Sequence, residues 1–146
     1  MATFSRNVTV NWEGPIMEGK GTANAGSGAF NLPVSFPRRI GDAQGITSPE
    51  ELIAAAHASC YVMALNATVG RKGGQISKTD VTATVTADKG DAGITITNSK
   101  LTVVAHGLTG IPKEQFAEVA REAEGKCPVS NALRGSLQID VDAKAL

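Results

Sequence analysis

A chain of 146 residues holds one ordinary domain and is too short for two. At that length roughly two-thirds of the unfolded surface can be buried, so folding requires neither a disulfide framework nor a structural metal. Fourteen basic against fourteen acidic residues leave no net charge, which removes the electrostatic footprint of a nucleic-acid binder, and no dense Lys/Arg cluster restores it.

An apolar content of 42% argues against disorder, and no run of 18 uncharged apolar residues marks a membrane span. The segment Met1–Asn7 alternates from its first residues and lacks a signal-peptide core, so a cytoplasmic location is expected. Phe4, Val8, Val10 and Trp12 fall at even positions between polar residues, the period of a half-buried strand. Glu13-Gly14-Pro15 turns the chain, and a second strand is expected from Glu18 to Ala23. A third follows where Phe30, Leu32, Val34 and Phe36 alternate, and Pro33 within it argues for an edge position or a bulge.

Residues 37–47 read as a polar, glycine-bearing loop. Ser48-Pro49-Glu50-Glu51 then sets a helix start, with serine as N-cap, proline at the first helical position and Glu51 closing a capping box. The helix runs to about Thr68 or Val69 and is stopped by Gly70. Between Glu51 and Arg71 it carries no charge, and its apolar residues cover every face. A helix apolar all round has to be buried all round, and a sheet covers one side only. A homo-oligomer with this helix near the interface is expected.

Val81, Ala83, Val85 and Ala87 alternate with threonines in a strand. Residues 88–93 form a turn, and Ile94 to about Ala105 returns as the second arm of a hairpin. Pro112 opens an amphipathic helix through Phe116, Val119, Ala120 and Ala123, which ends at Gly125. Pro128 starts a short helical turn through Leu133, and Leu137, Ile139 and Val141 alternate in a last strand. The order βββ-α-ββ-α-β, with strands in blocks, is α+β in a single domain over residues 1–146.

Two cysteines, Cys60 and Cys127, this far apart in a reducing compartment are reactive, ligating or inert rather than a permanent bridge. Burial as small hydrophobes is one reading. Against it, Cys127 precedes a proline at a helix junction, where unsatisfied backbone amides favour a thiolate, and His57 lies one turn before Cys60 on the same face. His57 itself reads as a core histidine bonded to a backbone carbonyl ahead of a catalytic base. A zinc site from His57, Cys60, Cys127 and His106 has suitable donors but lacks a Cys-x-x-Cys anchor. Glu50 is not needed for the cap and is available to hold a cation. Composition alone assigns no role to Arg38 and Arg39.

The stretch Ser48-Pro-Glu-Glu-Leu-Ile-Ala-Ala-Ala-His-Ala-Ser-Cys-Tyr-Val-Met-Ala-Leu65, together with Gly125-Lys-Cys-Pro-Val-Ser-Asn-Ala-Leu133, resembles the osmotically inducible protein C and organic hydroperoxide resistance (OsmC/Ohr) family. Asn11-Trp12-Glu13-Gly14 and Gly19-Lys20-Gly21-Thr22 resemble its OsmC branch. The resemblance extends over essentially the whole chain. It implies an intertwined homodimer with long central helices inside and sheets wrapped outside. It also implies a thiol peroxidase in which Cys60 is peroxidatic, Cys127 resolves, Arg39 is the active-site arginine and Glu50 positions it, with Arg38 standing beside as the alternative.

The resemblance implies no bound cofactor. The expected partners are an organic hydroperoxide and an external dithiol such as dihydrolipoamide, with neither nucleic acid nor membrane. Glu50 precedes Cys60 by ten residues, about 15 Å along one helix, so the two cannot touch within it. Arg39 and Glu50 of one subunit are therefore expected to complete the site of the other. An Ala-rich pocket with Phe, Leu and Met nearby should favour alkyl or fatty-acid hydroperoxides over hydrogen peroxide. The rival readings are a stoichiometric redox switch or binding module, and a structural zinc protein.

Overall fold

A computed structural model of the chain describes residues 1–146, which divide into two compact units, residues 1–49 and 50–146. The first unit is an antiparallel meander of β1 (Val8–Glu13), β2 (Lys20–Ala25) and β3 (Asn31–Val34), in that spatial order. β3 is an edge, as Pro33 requires, since proline has no N–H to offer a further strand. Residues 4–7, expected to belong to the first strand, precede it.

Two features of this unit depart from the sequence reading. Phe36, expected to end the third strand, and residues 37–40, expected to lie in a loop, form a one-turn helix, α1 (Phe36–Ile40). Pro37 explains it, because its fixed φ suits the first turn and its missing N–H costs nothing there. The second departure concerns burial. Val8, Val10 and Trp12 alternate as expected, yet they are 52%, 56% and 41% exposed.

The second unit opens on α2 (Pro49–Arg71), which begins at the proline and continues two residues past the expected end. β4 (Lys78–Gly90) and β5 (Gly93–His106) form a long antiparallel hairpin whose turn narrows to Asp91-Ala92. Gly93 takes φ +128°, a conformation that side chains disfavour. A 3-10 turn (residues 113–115) leads into α3 (Phe116–Gly125), then α4 (Pro128–Leu133) and β6 (Gln138–Ala145). β6 pairs parallel with β5, so β5 is central in the order β4-β5-β6.

A bulge decides which residues of β5 face inward. Ala87 pairs with Ile96 but Thr86 pairs with Asn98, so Thr97 is an extra residue. The inward set therefore changes parity, and Ser99, Leu101, Val103 and Ala105 are buried. They pack with Tyr61, Leu65 and Val69 of α2 and with Phe116, Val119, Ala120 and Ala123 of α3. The Tyr61 hydroxyl donates to the Ala120 carbonyl at 2.8 Å, which satisfies the one polar atom that this aromatic brings into the core.

The buried residues of α2 are His57, Tyr61, Leu65, Thr68 and Val69, a single face at helical spacing. Ala55, Ala56, Met63 and Ala67 on other faces are exposed, Met63 by 71%. The expected burial on all sides is thus not reached within one chain. By length and composition α2 is also apolar enough to cross a membrane, although no 18-residue run within it is wholly apolar. Its packed face carries the polar side chains His57 and Thr68 as well as apolar ones, and His57 is hydrogen-bonded to serines of the same unit.

Candidate active site

Cys60 lies on α2 one turn after His57, half-buried against the apolar core. Cys127 is the N-cap of α4 and is fully buried. Both thiols are free, and the two side chains are in hydrogen-bonding contact. The first turn of α4 supplies backbone donors to both sulfurs: Ser130 N–H reaches Cys127 Sγ at 3.4 Å, and Val129 N–H reaches Cys60. Pro128 makes this possible locally, since it starts the helix at once after Cys127 and points the following N–H groups back at the thiols.

Burial pushes the Cys60 thiol above its ordinary value; the Val129 N–H opposes this, and the neighbouring Cys127 adds to it. Within one chain, then, desolvation outweighs the backbone donor. A cation placed nearby would act in the opposite direction, toward the thiolate.

His57 is fully buried and hydrogen-bonded at both ring nitrogens, Nδ1 to Ser99 Oγ and Nε2 to Ser130 Oγ, each at 2.7 Å. Its partners are serine hydroxyls, in place of the backbone carbonyl expected from sequence. Both nitrogens being engaged also removes His57 from the zinc set, and His106 Nε2 is 2.8 Å from Asp80. Burial lowers the pKa of His57 below 6.5, and the carboxylate of Glu124 partly restores it.

That shift has a consequence for stability. A histidine held neutral in the fold but protonated in the unfolded chain makes the unfolded state bind more protons. Its contribution is complete above about pH 6.5 and is lost as the pH falls below that value. The urea midpoint of the wild type is expected to fall more steeply between pH 7 and 5 than that of His57→Gln, which has nothing to titrate.

Glu124 is itself mostly buried and is paired with Arg134 at 2.8 Å, which joins the end of α3 to the residue that follows α4. Arg134 also donates to Asn131 Oδ1, and Asn131 Nδ2 donates to the Gly125 carbonyl. Ser99, Ser130, Glu124 and Arg134 were not singled out from sequence. Ser99 left a signal, a polar residue in step with Leu101, Val103 and Ala105 on a strand, which calls for a buried partner.

Glu50 stands in the first turn of α2, ten residues and about 15 Å of helix before Cys60. Arg39 belongs to the first unit, in the last turn of α1. It lines an apolar cleft of about 160 Å³ with Trp12, Ile16, Val34 and Phe36. Arg38, its neighbour, donates instead to the Asp42 carbonyl. The structure brings the two cysteines together and leaves Glu50 well up the helix from them.

Two adjacent thiols under shared backbone donors, in an α+β fold, are the arrangement that a redox-active dithiol requires. The chain belongs to the OsmC family: the family model for OsmC-like proteins matches residues 41–142. It is 38% identical over 144 residues to peroxiredoxin OsmC of Escherichia coli K12, covering 98% of this chain and 99% of that protein. It is 29% identical over 125 residues to the organic hydroperoxide resistance protein of Xanthomonas axonopodis pv. citri, covering 82% and 83% of the two chains. The fold matches the crystal structure of OhrB from Bacillus subtilis with a TM-score of 0.73 at 24% identity, over 94% of this chain and 98% of that one. It also matches an organic hydroperoxide resistance protein from Elizabethkingia anophelis with a TM-score of 0.76 at 23% identity, over the full length of both.

Proposed function

We propose that this protein is a thiol-dependent hydroperoxide reductase in which Cys60 takes the peroxide oxygen and Cys127 closes the disulfide. The contact between the two thiols beneath the Val129 and Ser130 donors carries this reading. The names of its relatives, peroxiredoxin and organic hydroperoxide resistance protein, support it.

The cycle balances without a resident cofactor. The Cys60 thiolate attacks the distal oxygen of ROOH, the O–O bond breaks, and the departing alkoxide takes a proton to leave as alcohol. The Cys60 sulfenic acid then condenses with the Cys127 thiol, releasing water and forming the disulfide. An external dithiol, for which dihydrolipoamide is the candidate, restores both thiols by exchange and is oxidised to its own disulfide.

The site is completed across a homodimer. Glu50 is too far along α2 to reach the Cys60 of its own helix. The exposed apolar residues of α2 and β1, Met63, Val8, Val10 and Trp12, leave uncovered the faces that a second subunit would bury. We assign Arg39 of one subunit to the Cys60 of the other, where its guanidinium offsets burial of the thiolate and donates to the leaving oxygen. Glu50 holds that arginine in place. Arg39 is chosen over Arg38 because it lines the apolar cleft. A chain with only two cysteines, and so no disulfide framework, fits a cytoplasmic location.

The cleft beside Arg39 suits an alkyl chain, so the substrate class is alkyl or fatty-acid hydroperoxides. Burying about four methylenes in such a cleft is worth about 3 kcal/mol, a rate advantage on the order of a hundred-fold. Steady-state turnover of cumene hydroperoxide with dihydrolipoamide is expected to exceed that of hydrogen peroxide by this order. Equal turnover at matched concentrations would remove the assigned substrate class, and oxidation that stops after one equivalent would replace the enzyme with a redox switch.

A further inference from the structure

His57 has no part in the chemistry just described, yet it is among the most completely enclosed groups in the molecule. A neutral imidazole can donate from one nitrogen and accept at the other, and here each faces a serine hydroxyl at 2.7 Å, both serines being fully buried. Satisfying a buried polar group is reason enough for hydrogen bonds, but it does not account for which segments they join.

His57 is on the turn of α2 that precedes Cys60, and Ser130 is on the turn of α4 that follows Cys127. The 2.7 Å bond from Nε2 to Ser130 Oγ therefore ties the two cysteine-bearing segments to each other. Ser99 on β5 holds the opposite edge of the ring and so fixes its orientation. α4 has six residues, too few to hold its geometry unaided, and depends on such anchors. Its first turn is the segment whose N–H groups contact both sulfurs.

We infer that His57 is a positioning residue that, acting through Ser130, holds Cys127 in the approach from which it closes the disulfide with Cys60. The inference rests on the proposed cycle, in which Cys127–SH and Cys60–SOH condense to a disulfide and water. Disulfide formation demands a narrow range of Cβ separations and dihedral angles, so a small displacement of the α4 turn slows it. It bears less on the earlier attack of Cys60 on peroxide, which depends on this turn only through the Val129 N–H and not on where the Cys127 sulfur sits.

The two ring nitrogens can be tested separately. The amide of His57→Asn replaces the Nδ1 side of the ring and keeps the Ser99 partner, whereas that of His57→Gln replaces the Nε2 side and keeps Ser130. Ser130→Ala removes the same link from the other end while leaving the backbone N–H to Cys127. Rapid-mixing experiments on reduced protein with cumene hydroperoxide resolve a peroxide-dependent first step and a peroxide-independent closure. Dimedone labelling and mass spectrometry count the waiting sulfenic acid.

Closure is expected to slow by about ten-fold or more in His57→Asn and Ser130→Ala, with the first step changed by less than about two-fold and closure largely recovered in His57→Gln. Equal closure rates in the Asn and Gln variants would overturn the inference, as would a parallel fall of both steps. Diamide-driven closure of the same reduced proteins, which needs no peroxide, should rank the variants in the same order. If the wild type gave neither sulfenic acid nor disulfide with peroxide, the proposed reductase would fail, and the diamide ranking would still support or overturn the role of His57.

Discussion

Mixing two inactive variants, Arg39→Ala and Cys60→Ser, should restore activity. Each homodimer alone is expected to lose at least about a hundred-fold in kcat/KM, about 3 kcal/mol of barrier, since a positioned guanidinium is worth that much at a desolvated reacting centre. If Arg39 of one subunit serves Cys60 of the other, the mixed dimer holds one site with both groups intact and one with neither. Up to about half of the mixed dimer's sites then work normally, and after subunit exchange a quarter of all sites recover. If both groups acted within one subunit, every site in the mixed dimer would lack one of them, and mixing would recover nothing.

The Arg39→Ala homodimer carries a second signature. Burial already raises the Cys60 thiol, and removal of a neighbouring cation raises it further. Its reaction with peroxide should therefore climb with pH over a range where the wild type has levelled off. Glu50→Gln should show the same displacement more weakly, as expected of a group that holds the arginine and does not touch the thiolate.

The two cysteines should fail in different ways. Cys60→Ser removes the nucleophile, and turnover should fall by about a thousand-fold or more, at least 4 kcal/mol. Cys127→Ser retains the nucleophile and its Val129 donor. It should consume one equivalent of hydroperoxide per subunit at a rate near that of the wild type and then stall as a sulfenic acid that dimedone labels. Stopped-flow consumption of peroxide, compared with steady-state turnover on dihydrolipoamide, separates the two patterns. A Cys127→Ser variant with an unaltered steady state would show that the disulfide is not an obligatory intermediate.

Much of the architecture was legible because it is written in local signals. Ser48-Pro49 starts a helix, Gly125 ends one, and threonines alternate with small apolar residues along β4. The family could be read from the two segments that carry the cysteines, and that reading agrees with the comparison with OsmC-like proteins. What could not be read depends on tertiary or quaternary packing. The alternation of Val8, Val10 and Trp12 predicts a buried face that a single chain leaves exposed, and the proposed homodimer would supply the missing cover.

Two site features were hidden for local reasons. The extra residue Thr97 reverses the parity of β5, so a pattern counted from Ile94 and Ile96 places Ser99 on the wrong face. Arg38 and Arg39 are equivalent in a loop. In the helical turn they point about 100° apart, one to the Asp42 carbonyl and the other to the apolar cleft. Recognising Pro37 as a helix starter would have separated them.

The decisive measurement is the intact mass of fully reduced protein after one equivalent of cumene hydroperoxide, followed by a peptide map under non-reducing conditions. A two-cysteine cycle predicts the loss of two hydrogens per subunit and a single new cross-linked peptide joining Cys60 to Cys127. Unchanged mass with both thiols still alkylatable would contradict it, and the adjacent thiols would then need an explanation other than peroxide reduction.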